Sequence, residues 1–137
     1  MLPERELKKI DYKNSMIGHL GIELLEQKDG KIRATMPVNE RTIQPFGVLC
    51  GGASIAFAEI LAGYGSWLLI DESEVPAGTQ VSANHISAVR APATVYAEAM
   101  LLHQGKRTHL WNVDVRTEEG TLVSTVRVLN SIITVKK

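Results

Sequence analysis

Gly51-Gly-Ala-Ser-Ile-Ala-Phe-Ala-Glu-Ile60-Leu-Ala-Gly-Tyr-Gly-Ser-Trp-Leu-Leu-Ile70 is the stretch on which the fold turns, and Glu59 is its only charged residue. About 20 apolar residues can cross a bilayer, so a membrane span is the first reading to weigh. Gly51, Gly52, Gly63 and Gly65 dilute the hydrophobicity, Glu59 lies near the middle, and no cluster of lysine or arginine marks a cytoplasmic flank. The stretch therefore reads as a buried helix, and no membrane partner is expected. On a helical wheel, Ala53, Ala56, Phe57, Ile60, Leu61, Tyr64 and Leu68 form the stripe expected to face the main core. The other side, with Ile55, Ala58, Ala62, Gly65, Ser66 and Leu69, is small or apolar where a surface helix would carry lysine and glutamate. That side is expected to be covered as well, and in so short a chain the expected cover is a second subunit.

Downstream of this helix, after Gly78, the pattern changes to extended. Val81, Ala83 and His85 alternate, then Val95, Ala97, Ala99 and Leu101, then Trp111, Val113 and Val115, and the run from Leu122 to Val135 is rich in valine, isoleucine and threonine. Breaks at Gln104-Gly-Lys-Arg107 and Glu118-Glu-Gly120 suit hairpin turns, so these segments should pair antiparallel. Upstream, Asp29-Gly30 separates Ile22 to Glu26 from Ile32 to Met36 as a further hairpin. The expected order is a short helix, a hairpin, the long helix and about four strands, which is an α+β arrangement of one antiparallel sheet with a central helix packed on it.

The chain has 137 residues, enough for one domain and too few for a two-domain dinucleotide-binding enzyme. A composition of 45% hydrophobic and 22% charged residues excludes disorder and implies a real core. Fifteen basic residues balance fifteen acidic ones, so no nucleic-acid partner is expected, although a local anion pocket is compatible. With Cys50 as the single cysteine, neither an internal disulfide nor a zinc site needing two cysteines can form. A reducing compartment follows, and Met1 to Ile10 lacks the apolar core of a secretory signal, so the cytoplasm is the expected location.

Glu59 is the first candidate for chemistry, because burying an unpaired carboxylate costs several kcal/mol, so it requires either a structural partner or a function. The functional reading is a base or nucleophile. The loop Gln44-Pro-Phe-Gly-Val-Leu-Cys-Gly-Gly-Ala53 leads into the helix, whose free N–H groups can stabilise developing negative charge on a carbonyl oxygen. Glu59 lies roughly 12 Å further along by helical rise, a span that requires a large substrate or a second subunit. Gln104-Gly-Lys-Arg-Thr108 sets two cations in a tight turn that could hold a phosphate or simply be solvated; Asn84, His85 and Arg90 could enlarge the same anion site. Cys50 has no histidine near it in sequence and reads as a small hydrophobe. His19, His85, His103 and His109 lack close metal-ligand spacing, so no metal is expected.

Gln44-Pro-Phe-Gly-Val-Leu-Cys-Gly-Gly-Ala-Ser-Ile-Ala-Phe-Ala-Glu59 resembles the hotdog-fold acyl-CoA thioesterases, in particular their aryl-CoA branch. Ala34-Thr-Met-Pro-Val38 with Arg41-Thr42, Ala83-Asn-His85, and His103 to Arg107 extend the likeness over most of the chain. The resemblance implies a single hotdog domain over 1–137, an antiparallel five- or six-stranded sheet wrapped around the long central helix. It also implies a homodimer at minimum, with a homotetramer as the expected assembly. The implied activity is hydrolysis of an aromatic or medium-sized acyl-CoA thioester to the free acid and coenzyme A, without a separate cofactor, since coenzyme A is part of the substrate.

By the same likeness Glu59 is the catalytic residue, as nucleophile or as base on water. Gly51 polarises the thioester carbonyl through its N–H, and Gln44 lies near the thioester or leaving group, the loop of one chain facing Glu59 of the other. His85, Ser87, Arg90, His103, Gly105, Lys106 and Arg107 fall where the family holds the nucleotide and phosphates. Cys50 stands where histidine is common, Gly63 where serine or threonine is common, and Ser87 where arginine is common. Cys50 and Gly63 thus belong to the substrate-facing set. Losing a positioned polar group is expected to slow hydrolysis, by about 10²-fold. The alternative reading is a hotdog protein that binds acyl-CoA with little or no turnover.

Overall fold

In the computed structural model the residues described here are 12–25, 27 and 30–135. The reading of Met1 to Ile10, and Glu26 and Asp29 of the first hairpin, lie outside them. The elements are α1 (Met16–Leu20), β1 (Glu23–Leu24), β2 (Lys31–Val38), α2 (Gly51–Leu69), β3 (Glu74–His85), β4 (Ala93–Gln104), β5 (Thr108–Thr117) and β6 (Leu122–Thr134). All six strands form one antiparallel sheet in the order β1-β2-β4-β5-β6-β3. This is the α+β hotdog arrangement that the resemblance implies, with α2 against the inner face of the sheet.

Alternation along the strands builds that inner face, because successive side chains point to opposite sides. Ile32, Ala34, Met36 and Val38 of β2 point inward, as do Val95, Ala97 and Ala99 of β4 and Trp111, Val113 and Val115 of β5. The hairpin turns fall where the sequence puts them, at 105–107 and 118–121, and Gly120 takes a positive φ in the second. β1 pairs with β2 through Glu23 to Thr35 and Leu24 to Ala34, the expected first hairpin. β3 begins at Glu74 rather than after Gly78. Gly78 lies inside the strand, beside a β-bulge that takes Thr79 out of register with β6.

The helix departs from the wheel reading. α2 is long and apolar enough to cross a membrane by length and composition, yet it packs against β2, β3, β4, β5 and β6. Its buried residues are Ser54, Phe57, Ala58, Leu61, Ala62, Gly65, Ser66 and Leu68. Phe57, Leu61 and Leu68 are thus core residues as expected, whereas Ala53, Ala56, Ile60 and Tyr64 are only half-buried at the margin of the core. Ala58, Ala62, Gly65 and Ser66, read as the face awaiting a partner, lie instead against the protein's own sheet. The physical reason is close approach. A Cβ on Gly65 would lie 2.6 Å from the Trp111 ring and 2.7 Å from Ile32, so small residues mark where helix and sheet come nearest. A wheel that weights large apolar residues points away from that seam. The side left half-covered carries Ala56, Glu59, Ile60, Gly63 and Tyr64, and Gly52 alone in α2 is exposed.

Candidate active site

The loop before α2 is pinned on both sides. Thr42 and Val89 accept from the N–H groups of Cys50 and Leu49, both at 2.8 Å, and Gln44 N–H donates to Val48 at 2.9 Å. Gly47 turns the chain with φ of 87°, a conformation that costs glycine little. The Gln44 side-chain oxygen accepts from the Phe46 N–H, so this carboxamide braces its own loop. Arg90, bridged to Val48, brings a guanidinium nitrogen to within 3.8 Å of where a Cβ on Gly47 would stand.

Cys50 is the N-cap of α2, but its side chain makes no capping bond, and no acidic residue occupies the first turn. Ala53 and Ser54 N–H donate to the Cys50 carbonyl at 3.0 and 3.3 Å, so the Gly51 and Gly52 N–H groups are the ones placed for an external acceptor at the positive end of the helix. His85, at the end of β3, sits directly over it. Its Nε2 lies 2.6 Å from the position a Cβ on Gly51 would take, so a side chain there would push the His85 ring from its place. His85 Nδ1 is 2.7 Å from Ser124 Oγ, and the β3–β6 register sets these two residues opposite each other. Gly51, Ser54, His85, Ser87 and Ser124 line one cavity of about 290 Å³. Ser54 and Ser124 are not singled out by the sequence; the β3–β6 register reveals the place of Ser124, and the turn of α2 that follows Gly51 carries Ser54.

Glu59 lies two turns along α2 and is half-buried. Its Oε1 occupies the space that a side chain on Gly78 would need, 2.5 Å from that Cβ position. The carboxylate thus rests on the bare backbone of β3. No cation or hydrogen-bond donor pairs with it among the described residues, so the bland explanation of a structural arginine partner has no support there. Gly63, the next residue along the same face, has open space where a Cβ would project. Tyr64 and Trp67 stack beyond it with ring centroids 6.3 Å apart.

The remaining candidates lie elsewhere. Gly105 N–H donates to Thr108 at 2.8 Å to close the β4–β5 turn, and His103, Lys106 and Arg107 are exposed around it. The rung Gln104, His109, Asn130, Gly78 runs across the sheet at this end, whereas His85 lies seven residues further along β3. At about 3.3 Å per residue that is roughly 23 Å. One chain therefore gathers Gly51, His85, Ser87, Cys50, Gln44 and Arg90 at one end, and His103, Gly105, Lys106 and Arg107 at the other. Glu59 rests on Gly78, on the rung of the second end, and is separated from the first by the length of β3. Among the described residues no group of three or more potential metal ligands occurs.

A model of the thioesterase superfamily matches residues 46–124. The chain is 38% identical over 120 residues to the proofreading thioesterase EntH of Klebsiella pneumoniae, covering 88% of this chain and 87% of that protein. Among solved structures, a thioesterase of Haemophilus influenzae superposes with a TM-score of 0.87 at 39% identity, covering 92% of this chain and 87% of that one. A hypothetical thioesterase of Streptococcus pneumoniae solved with coenzyme A shares the fold, with a TM-score of 0.75 at 20% identity over 85% of this chain and 92% of that one.

Proposed function

This chain belongs to the thioesterase superfamily and is a thioester hydrolase; from that premise we propose that it cleaves acyl-CoA thioesters with an aromatic or medium-sized acyl group, using Glu59. The observation that carries this reading is the half-buried Glu59 carboxylate, resting on Gly78 with no cation paired to it among the described residues. A carboxylate left unneutralised is available to a proton or to a carbonyl carbon. As base, Glu59 takes a proton from water while the hydroxide adds to the thioester carbon; the C–S bond then breaks and the proton passes to the departing thiolate. As nucleophile, it forms an anhydride as the thiolate leaves, and water cleaves that anhydride. Both routes end in free acid and coenzyme A, and neither needs a metal or separate cofactor.

The oxygen that gains charge is assigned to the Gly51 N–H at the uncapped helix start, where donors are fixed in advance. Gln44 presents its amide to the thioester from the same loop, next to Cys50. Within one chain Gly51 and Glu59 are roughly 12 Å apart by helical rise, so a second copy supplies one of them. β3 is a 12-residue strand at the edge of the sheet, with β6 as its one neighbour among the described residues. A long edge strand is a template for pairing, and a second copy there covers Glu59 and the half-buried side of α2. We assign a homodimer as the minimal unit and a homotetramer as the assembly, working in the cytoplasm.

Such pairing also unites the separated ends, with His85, Ser87 and Arg90 of one copy and His103, Gly105, Lys106 and Arg107 of the other holding the nucleotide and phosphates. The coenzyme A bound to the Streptococcus pneumoniae protein is compatible with this assignment. Gly63 leaves room for the acyl group beside Glu59. The test is thiol release from a panel of aryl- and fatty-acyl-CoA esters. Saturable release, fastest with aryl or medium-chain esters and with a KM that rises with salt, is the expected result. Turnover of simple thioesters with none of the coenzyme A esters would contradict it.

A further inference from the structure

On the sheet-facing side of α2, a group of buried polar side chains takes no part in the site above. Ser66, His109 and Asn130 are 0%, 2% and 1% exposed. Polar groups this deep are costly unless bonded, and of the polar atoms in these three side chains Asn130 Oδ1 has no partner among the described residues. The Ser66 hydroxyl is their common point. Trp111 Nε1–H donates to it at 2.9 Å, Asn130 Nδ2 donates at 3.0 Å, and His109 Nδ1 lies 2.9 Å away. Asn130 Nδ2 also donates to the Ala62 carbonyl at 3.2 Å, which fixes that atom as the NH2 group.

Counting lone pairs then assigns a proton. A serine hydroxyl has two acceptor sites and one hydrogen, while indole N–H and amide NH2 can only donate. Trp111 and Asn130 fill both acceptor sites, so the hydroxyl hydrogen goes to His109 Nδ1. His109 is therefore neutral, with its own proton on Nε2. A protonated ring would set an N–H against a hydroxyl that has no lone pair left.

The location gives this group a role. Ala62 lies three residues beyond Glu59 on α2. Asn130 is the β6 partner of Gly78, the residue on which the Glu59 carboxylate rests. The amide of Asn130 thus ties the helix turn after Glu59 to the rung that carries Gly78, and Ser66 ties the next turn to β5 and β6.

We propose that Ser66, His109 and Asn130 are positioning residues, which hold the Glu59 turn of α2 against Gly78 and do so only while His109 is neutral. The inference rests on Glu59 being the catalytic carboxylate. The charge environment agrees with the proton count: burial lowers the His109 pKa below its usual 6.5, with Glu74 on β3 opposing and His103 on β4 adding to the effect. Because the folded pKa is depressed, the stabilisation is complete above the ordinary imidazole value and is lost as pH falls through it and then through the folded value.

Nitrogen-15 NMR of the histidine rings in the intact wild-type protein reads the tautomer directly. An imine-type Nδ1 and a pyrrole-type Nε2 for His109 are expected; a pyrrole-type Nδ1 overturns the proposal, even if no variant folds. In kinetics, Ser66→Ala should lower kcat about ten-fold with KM little changed, and speed hydrogen exchange at the Trp111 indole. His109→Asn, whose side-chain oxygen can accept the Ser66 proton in place of Nδ1, should keep most of kcat and lose the acid fall-off in the kcat profile. A wild-type kcat in Ser66→Ala, alongside loss of turnover in Glu59→Gln, overturns the positioning role alone. Full turnover in Glu59→Gln overturns the reading of Glu59 on which it depends.

Discussion

Gly63 and Gly65 stand two residues apart on α2 and do opposite things. A Cβ on Gly65 would run into Trp111 and Ile32, whereas a Cβ on Gly63 would meet nothing within 4 Å. The first glycine pair of faces is thus a seam and a clearing. The seam is where the protein's own sheet presses on the helix, and it is filled by Ala58, Leu61, Ala62, Gly65 and Ser66. The clearing is where Glu59, Ile60, Gly63 and Tyr64 stay half-covered. The lesson is that one helix serves two masters of packing: stability is concentrated on one side and chemistry on the other, with the smallest residue needed on each for a different reason.

Substitutions at these two positions can break the comparison. Gly65→Leu should destabilise by about 3 kcal/mol through overpacking, measured by denaturant unfolding. An unchanged midpoint would mean that the seam is looser than the Trp111 and Ile32 distances indicate. Gly63→Ala should shift stability the other way, by about 1 kcal/mol, since alanine replaces glycine in a helix interior without a clash. Equal losses at both positions would erase the distinction between the faces.

A third measurement supplies a reference remote from both faces. On the outer side of the sheet Glu98 bonds Arg33 at 2.9 Å and pairs with Lys31 at 3.0 Å. Burial pushes its carboxyl up, but the bonds and charges of Arg33 and Lys31 outweigh that and hold it below the usual carboxylate value. With a depressed folded pKa, its stabilisation is present above the unfolded value and is lost as pH falls through the folded one. Glu98→Gln should therefore cost less than about 1 kcal/mol near pH 7, and the difference from wild type should fade in acid and in high salt. A larger cost than Gly65→Leu would put the stability of this protein on its outer surface.

Much of this architecture is legible in the residues. The hairpin breaks at Gln104 to Arg107 and Glu118 to Gly120, and the inward alternation of Trp111, Val113 and Val115, depend on local chemistry and period alone. Glu59 stands out because it is the one charge in an apolar helix. The orientation of that helix is not legible in the same way, because hydrophobic size and closeness of packing rank its faces differently. Nor is the Ser124 contact with His85, the bed of Gly78 under Glu59, or the Ser66 node. Each joins residues between 19 and 64 positions apart, and only the strand register, with its bulge beside Gly78, brings them together. The split of the candidate site between two ends of the sheet follows from the same register.

The claim that the half-covered side of α2 carries the hydrolysis through Glu59 is tested most directly by thiol release from an aryl-CoA ester, comparing wild type and Glu59→Gln in preparations of equal melting temperature. The amide keeps the shape and removes the charge, so kcat should fall by about 10²-fold or more while the fold and KM are retained. A Glu59→Gln protein that releases thiol at the wild-type rate would contradict the account and move the chemistry to another group.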